Sequence, residues 1–237
     1  MNVPFWAWPA LLAVVVVFVL IDLLGQRDAS EWGIRRAGIW SAVWFAMGLG
    51  FTLVVGVAWG GEAATQYVSG YLLEKSLSVD NIFVFALLFG YFAVPARLQP
   101  RALLWGVVGA LVFRAAFIAL GAALLSAASW VLYLFGAFLL FTGVRMWTHD
   151  AQEVHPERNP LLRALRRRVP MTDDYREQRV FVREAGRRLA TPMLAVLVMI
   201  ATTDLIFALD SIPAIFAVTS EPFLVFAANA FAVMGLR

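Results

Sequence analysis

The sequence contains no cysteine and only two histidines among its 237 residues. The lack of cysteine excludes disulfide bonds and thiolate metal sites. Charged residues are also scarce, at 15% of the chain against about 25% in soluble domains. Hydrophobic residues make up 62%, in runs that are apolar all round and so do not fit the one-sided helices of a soluble core. The chain is therefore predicted to be an all-α, polytopic membrane helical bundle.

Seven apolar stretches are read as membrane spans, for which about 20 residues are needed. They cover 4–25, 39–59, 67–92, 102–124, 130–147, 191–218 and 223–237. The first is too long and too rich in tryptophan for a cleaved signal peptide. The last gives about 22 Å of helix, which is short for a hydrocarbon core of about 30 Å. We therefore expect the C-terminus to be truncated within or just beyond a span.

The basic residues predict the orientation. Of the 19 lysines and arginines, all except Lys75, Arg114 and Arg237 fall in alternate loops, which is the positive-inside pattern with the N-terminus outside. Residues 1–148 then hold spans one to five, 149–190 form a basic cytoplasmic loop, and 191–237 hold spans six and seven. Because the basic excess is explained by topology, nucleic acid is not expected as a partner. The loop stretch "NPLLRALRRRVP" either lies on anionic lipid or is simply solvated.

Five acidic residues fall inside the predicted spans, although a charge at the bilayer centre costs about 2.5–3.5 kcal/mol. They are Asp22, Glu74, Asp80, Asp204 and Asp210. Asp22 is near enough to the end of its helix to reach the interface. The other four favour a functional site. The alternative is that they link helices by bonding Lys75, Arg114 or nearby hydroxyl groups.

Four of these acids belong to a repeated pattern. "EKSLSVDNI" at 74–82 and "DLIFALDSI" at 204–212 both read acid, five residues, Asp, Asn or Ser, Ile. By the predicted topology the two copies run in opposite directions through the membrane. A repeated motif on antiparallel spans is typical of a transporter with inverted-topology repeats.

Helix geometry constrains how these acids act. Six residues turn a helix by about 600°, so the two acids of one motif point about 120° apart. Pro213 lacks an N–H for the carbonyl of Leu209 and thereby frees that oxygen. We therefore expect two discontinuous helices that meet near the bilayer centre, with Asp80 and Asp210 facing each other.

The ligands that these motifs offer are all oxygen or amide groups, with Asn81 and Ser211 beside the acids. Such a set suits Mn²⁺, Mg²⁺ or Ca²⁺ and disfavours Cu⁺. Neighbouring carboxylates also share protons easily, which would allow exchange of a metal ion for protons. Lys75 is either a counter-ion that holds Glu74 when no metal is bound, or part of a permanent structural pair.

Several blocks of the sequence resemble the TerC/Alx family of bacterial integral membrane proteins. They are "GYLLEKSLSVDNIFVF" at 70–85, "TDLIFALDSIPAIFAVTSEPFLVF" at 203–226, "ATP" at 190–192 and "NAFAVMGLR" at 229–237. The resemblance implies a bacterial inner-membrane location, inverted repeats, and a link to tellurite resistance and Mn²⁺ export. It also implies that Glu74, Asp80, Asp204 and Asp210 form the ion site. This sequence departs from the family at Ala201, where members often carry Glu, and family chains continue beyond "GLR".

These observations together predict a secondary transporter that exports Mn²⁺ by proton antiport. Asp80 and Asp210 would be primary ligands, with Glu74 and Asp204 as second ligands or proton carriers. No enzymatic activity and no bound cofactor are expected; the partners would be the cation, protons and the bilayer, with homo-oligomerisation open. A non-transporting membrane scaffold or stress-response protein with structural acids is the alternative. An intramembrane aspartic protease is disfavoured because no "GxGD" occurs, and an acid-lined site should repel the tellurite anion.

Overall fold

The computed structural model describes residues 2–25, 34–148, 159–176, 179–184 and 186–234. Within this part the chain is almost entirely helical. The elements are α1 (Ala7–Gly25), α2 (Ile34–Trp59), α3 (Gly61–Tyr91), a 3₁₀ turn (Ala96–Leu98), α4 (Gln99–Ala127), α5 (Val131–Thr148), α6 (Pro160–Arg168), β1 (Phe181–Glu184), β2 (Arg187–Ala190), α7 (Pro192–Phe216) and α8 (Pro222–Met234). Residues 149–158, 177–178 and 185 of the predicted loop and residues 235–237 of the last stretch lie outside the described residues.

Each of the seven predicted spans corresponds to one helix in the described part of the chain, the shortest being α8 with 13 residues. By length and composition, Arg35–Trp59, Ala96–Ala127 and Pro192–Phe216 qualify as membrane spans among the described residues. The all-α membrane architecture is thus confirmed. The expected discontinuous helices are wrong, because α3 and α7 each run unbroken through their motif. Pro213 sits three residues before the end of α7, so the bond that it removes falls in the last turns, where the helix is about to end.

Helix α8 forms the centre of the bundle. All its residues from Phe223 to Met234 are buried, and it packs against α1, α2, α3 and α4. Its alanines at 227, 228, 230 and 232 let neighbouring helices approach closely, which is how membrane helices gain packing energy. Helix α7 packs on α3 and α4 and is flanked by α5 and α6.

Helices α2 and α3 form an antiparallel hairpin around Gly60, whose φ of 92° favours glycine. Two buried tyrosines of α3 fasten the hairpin. The hydroxyl of Tyr67 donates to the carbonyl of Gly48 at 2.9 Å, and that of Tyr71 donates to the carbonyl of Phe45 at 3.2 Å. These bonds satisfy phenol groups that burial would otherwise leave unpaired.

Contacts along the chain give the direction of α7. The hydroxyl of Thr219 donates to Gln66 Oε1 at 2.7 Å. One turn further along α3, a Cβ at Gly70 would lie 3.1 Å from the side chain of Ile215. From Gln66 to Gly70 the residue numbers rise along α3, while the numbers of their contact residues fall from Thr219 to Ile215. The two helices are therefore antiparallel. The opposite directions predicted for the two motif copies are therefore present, while the two-fold relation between repeats stays a prediction.

The segment between α5 and α7 folds onto one end of the bundle. Asn159 caps α6 by accepting hydrogen bonds from the backbone N–H groups of Leu161 and Leu162. Leu162 is 1% exposed and packs among Leu98, Met193 and neighbouring residues. Helix α6 is thus docked on the protein through Leu162, while its four arginines remain exposed.

Sequence analysis missed a β-hairpin in the same segment. Strands β1 and β2 pair antiparallel, with Phe181 opposite Ala190, and Gly186 at φ 78° lies in the turn. Nearby, the Tyr175 hydroxyl donates to the carbonyl of Phe92 at the end of α3, at 2.8 Å. Burial raises the pKa of Tyr175 to about 12, so this donor keeps its proton at physiological pH.

Two glycines of α4 provide a matched test of the α4–α7 contact. A Cβ at Gly106 would lie 2.7 Å from Cγ2 of Ile200, whereas a Cβ at Gly109 would meet nothing within 4 Å. Gly106→Ala should therefore destabilise the bundle by about 1–3 kcal/mol through overpacking. Gly109→Ala should be neutral or slightly stabilising, since Ala favours a helix. Thermal unfolding in detergent measures both, and equal midpoints for the two variants would contradict the close contact.

Candidate functional site

Five polar side chains of the repeated motifs are buried in the bundle, and all except Ser78 occupy matching positions in the two copies. Glu74 and Asn81 are seven residues apart on α3, as Asp204 and Ser211 are on α7. Seven residues make about two helical turns, so each pair lies on one face of its helix. The exposed fraction is 1% for Glu74, 2% for Asn81, and 3% for both Asp204 and Ser211. The first acid and the Asn or Ser of each motif therefore belong to the interior.

Arg114 of α4 joins the two buried acids. Its Nη1 donates to Glu74 Oε2 at 2.7 Å, and its Nη2 donates to Asp204 Oδ1 at 3.4 Å. The arginine is itself only 2% exposed, so all three charges are removed from solvent. Desolvation of buried ions is offset only by their mutual attraction and hydrogen bonds. The arrangement therefore links α3, α4 and α7 at one point.

Each of the four side chains in matching positions also has an oxygen atom with no hydrogen-bond partner in the described part of the protein. The atoms are Glu74 Oε1, Asn81 Oδ1, Asp204 Oδ2 and Ser211 Oγ. An unsatisfied buried polar atom costs about 1–3 kcal/mol, so such atoms are expected where water, a proton or an ion is bound. All four are oxygen donors of the kind that hard cations prefer.

The described residues contain no group of three or more Asp, Glu or His side chains placed to hold a metal ion. A cation at the buried acids would therefore take part of its coordination from Asn81, Ser211, backbone carbonyls or water. This is ordinary for Mg²⁺ and Ca²⁺, which accept amide, carbonyl and water oxygens beside carboxylates.

The expectation that Asp80 and Asp210 face each other is wrong. Asp80 is exposed on α3. Asp210 is half-buried on α7, and its electrostatic partner is Arg145 of α5. The cause is the 120° offset between the acids of one motif. Because Glu74 and Asp204 occupy the inward faces, the second acid of each motif is turned away from them.

Lys75 is not the counter-ion of Glu74. Its Nζ donates to the carbonyl of Ala232 on α8 at 3.2 Å, while Glu74 is bound to Arg114. Lys75 therefore links α3 to the central helix.

Pro213 is buried in α7, and its missing N–H leaves the carbonyl of Leu209 without its usual helical donor.

Sequence analysis considered Arg114 only as a structural partner and did not assign Asn229 a role. Arg114 was one of three basic residues outside the alternate loops, which was a usable signal for a buried cation. Asn229 of α8 is 1% exposed, and its Nδ2 has no partner among the described residues. Its signal was an isolated amide within the apolar run "PFLVFAANAFAVM".

Residues 59–237 match the sequence profile of the Integral membrane protein TerC family. The chain belongs to the TerC family. It is 45% identical over 240 residues to "Putative membrane-bound redox modulator Alx" of Escherichia coli strain K12, covering 97% of this chain and 75% of the relative. It is 44% identical over 231 residues to "Uncharacterized membrane protein STKORF319" of Myxococcus xanthus, covering 97% and 72%.

A plant relative is more distant. The chain is 39% identical over 212 residues to "Thylakoid membrane protein TERC, chloroplastic" of Arabidopsis thaliana, covering 90% of this chain and 54% of that protein. No solved structure matches the chain. The TerC match confirms the resemblance noted in the sequence. It begins at the end of α2 and therefore includes both motifs, Arg114 and α8.

The buried ion group yields a test of stability. Arg114→Met should lower the free energy of unfolding by about 3–5 kcal/mol, because two buried carboxylates lose their cation. Adding Glu74→Gln and Asp204→Asn should restore most of that loss, since neutral amides need no counter-ion. Thermal unfolding in detergent with EDTA measures the effect.

Arg183→Met is the matched control for this experiment, because Arg183 is exposed on β1. It should leave the unfolding midpoint unchanged. If Arg114→Met also leaves it unchanged, or if neutralising the acids gives no recovery, the group does not link the three helices as described.

Proposed function

We propose that this TerC family protein is a secondary transporter that exports divalent metal ions, with Mn²⁺ as preferred cargo, in exchange for protons. The observation that carries the proposal is the set of four buried, unpartnered oxygen atoms from the two motif copies, two of them on carboxylates bound to Arg114. Acids this deep in a membrane bundle are commonly found on ion and proton pathways.

The donor set favours a hard divalent cargo. Glu74 and Asp204 offer carboxylate oxygens, Asn81 an amide oxygen and Ser211 a hydroxyl oxygen. Carboxylate and amide ligands suit Mn²⁺, Mg²⁺ and Ca²⁺, whereas Cu⁺ prefers sulfur. The chain has no cysteine to supply thiolate. Mn²⁺ is the preferred member of this group because the TerC/Alx resemblance implies it.

Arg114 would act as a tethered substitute for the cargo. In the structure its guanidinium holds both acids, and two carboxylates with one guanidinium carry one negative charge in excess. One proton neutralises that excess. An entering divalent cation would displace the proton and, by like-charge repulsion, loosen Arg114 from the acids. When the cation leaves, Arg114 and the proton return, which couples the two fluxes.

The roles of the acids in this proposal follow their burial. Glu74 and Asp204 become the primary ligands instead of Asp80 and Asp210. Asp80 and Asp210 remain proposed ligands on the routes by which the cation enters and leaves the site. Each lies six residues from the buried acid of its own motif, about 9 Å along the helix. Lys75 keeps a positioning role through its bond to Ala232.

The name of the Escherichia coli relative includes the term redox modulator. Without cysteine, this chain has no thiol with which to perform disulfide exchange. A protein that sets the cytoplasmic level of a redox-active metal such as Mn²⁺ would change redox chemistry without a thiol of its own. The proposed export is therefore compatible with a redox role.

One observation favours the alternative of a non-transporting scaffold. The bonds from Arg114 to Glu74 and Asp204 join three helices, so the buried acids already have a structural use. A scaffold needs no metal, whereas a transporter is stabilised by its cargo, because a ligand that binds only the folded state raises its stability. Metal-dependent stability therefore separates the two readings.

The transport proposal is tested in proteoliposomes that contain the full chain and an internal dye quenched by Mn²⁺. A pH gradient should drive Mn²⁺ flux, and Glu74→Gln and Asp204→Asn should each slow it by tenfold or more, about 1.4 kcal/mol. Asp80→Asn and Asp210→Asn should slow the Mn²⁺ flux less, because these acids lie on the entry and exit routes of the cation and not in the buried site.

Glu62→Gln is the control, because Glu62 is an exposed acid in the first turn of the same helix α3. Its flux should equal that of the unchanged protein. No flux above that of empty liposomes, together with no rise in unfolding temperature on adding Mn²⁺, would overturn the proposal and favour the scaffold.

A further inference from the structure

A basic concavity lies apart from the buried acids, where the start of α4 meets the residues before and at the start of β1. Its volume is about 760 Å³. Arg97, Arg101 and Arg179 line it together with Trp105 and Phe181, and within the described part of the chain no acidic residue lines it. Three fixed positive charges thus share one hollow with two aromatic rings.

Both walls of the concavity are anchored to the bundle. On one side Leu98 is 1% exposed and fixes the turn that bears Arg97. On the other side the hydroxyl of Thr191 donates to the carbonyl of Arg179 at 2.7 Å, and its N–H donates to the carbonyl of Val180 at 2.9 Å. Thr191 is fully buried at the start of α7. The hollow is therefore a feature of the folded protein, and it lies between the start of α4 and the segment that leads into β1.

The concavity continues into an apolar surface along α4. Trp105 at its rim is 51% exposed, followed on the same side of the helix by Val112 at 64%, Phe113 at 41% and Leu120 at 56%. The rise of the helix from Trp105 to Leu120, over fifteen residue steps, is about 22 Å, which is most of one bilayer core. A tryptophan between a basic hollow and an apolar stripe is typical of a membrane–water interface.

We propose that this concavity binds the headgroup phosphate of an anionic phospholipid, with an acyl chain lying along the stripe of α4. Guanidinium groups bind phosphate oxygens through paired, charge-assisted hydrogen bonds. The guanidinium groups of Arg97 and Arg179 favour a lipid with net negative charge over a zwitterionic one. The adjoining apolar stripe favours a lipid over a free phosphate ion. The bound lipid would hold the start of α4 against the segment that leads into β1, and its binding is independent of the metal transport proposed above.

The purified full chain in a neutral detergent tests this site by native mass spectrometry and thermal unfolding. Phosphatidylglycerol should be retained and should raise the unfolding midpoint more than phosphatidylcholine does. In the variant with Arg97→Gln and Arg179→Gln, retained phosphatidylglycerol should fall about tenfold or more, because two charged hydrogen-bonding groups are lost. Arg97→Lys with Arg179→Lys keeps the charge and should retain an intermediate amount.

Arg183→Gln with Arg188→Gln is the matched control, since it removes the same charge from exposed positions on the hairpin outside the concavity. It should bind phosphatidylglycerol as the unchanged protein does. An equal loss in both double variants would overturn the site in favour of diffuse attraction to a basic surface. Equal stabilisation by inorganic phosphate alone, without anionic lipid, would overturn the lipid as occupant.

Discussion

The structure depends on one arginine held by two carboxylates inside a membrane bundle. Glu74 of α3, Arg114 of α4 and Asp204 of α7 would each cost about 2.5–3.5 kcal/mol at the centre of a lone membrane helix. When the three helices pack, each charge meets its partners, and most of that cost is offset. Apolar faces alone would let the helices rotate or slide against one another. The two bonds of Arg114 restrict such motion of α3 and α7 relative to α4.

Much of the helical framework could be predicted from hydropathy, and the errors have local causes. The predicted span at 39–59 ends with α2 at Trp59, because Gly60, with its φ of 92°, turns the chain into α3. Helix α3 begins at Gly61, six residues before the predicted 67, since "GEAATQ" is helical but polar. Hydropathy detects the part of a helix that lies in lipid and does not detect its extension into water. The two strands of the β-hairpin were missed because each has only four residues, and their arginines hide the alternation of apolar and polar residues that indicates a strand.

The sequence analysis expected Asp80 and Asp210 inside the bundle, whereas the structure buries the other acid of each motif, Glu74 and Asp204. The 120° offset was correct, yet it does not say which acid faces the neighbouring helix. Packing decides which acid faces inward, and the sequence of α3 contains a pattern that indicates it. The buried residues of α3 are spaced by one, three or four positions and so form one face of the helix: Tyr67, Gly70, Tyr71, Glu74, Ser78, Asn81 and Phe85. Glu74 and Asn81 continue the stripe that Gly70 and Tyr71 begin, whereas Asp80 does not. A helical stripe drawn through the small and aromatic residues would have selected the inward acid.

The two bonds of Arg114 are unequal, and this bears on any exchange at the site. The contact with Glu74 is 2.7 Å and that with Asp204 is 3.4 Å; the shorter one lies in the range of strong charge-assisted hydrogen bonds and the longer one lies beyond it. Asp204 is therefore the acid that Arg114 releases more easily. If a cation neutralises Asp204 first, the arginine can remain with Glu74, so no acid is left buried without a counter-charge. Because α4 lies outside both motif copies, one arginine makes the charge state of each copy depend on the other. In the proposed transporter, that shared arginine would let α3 and α7 respond together to a single bound ion.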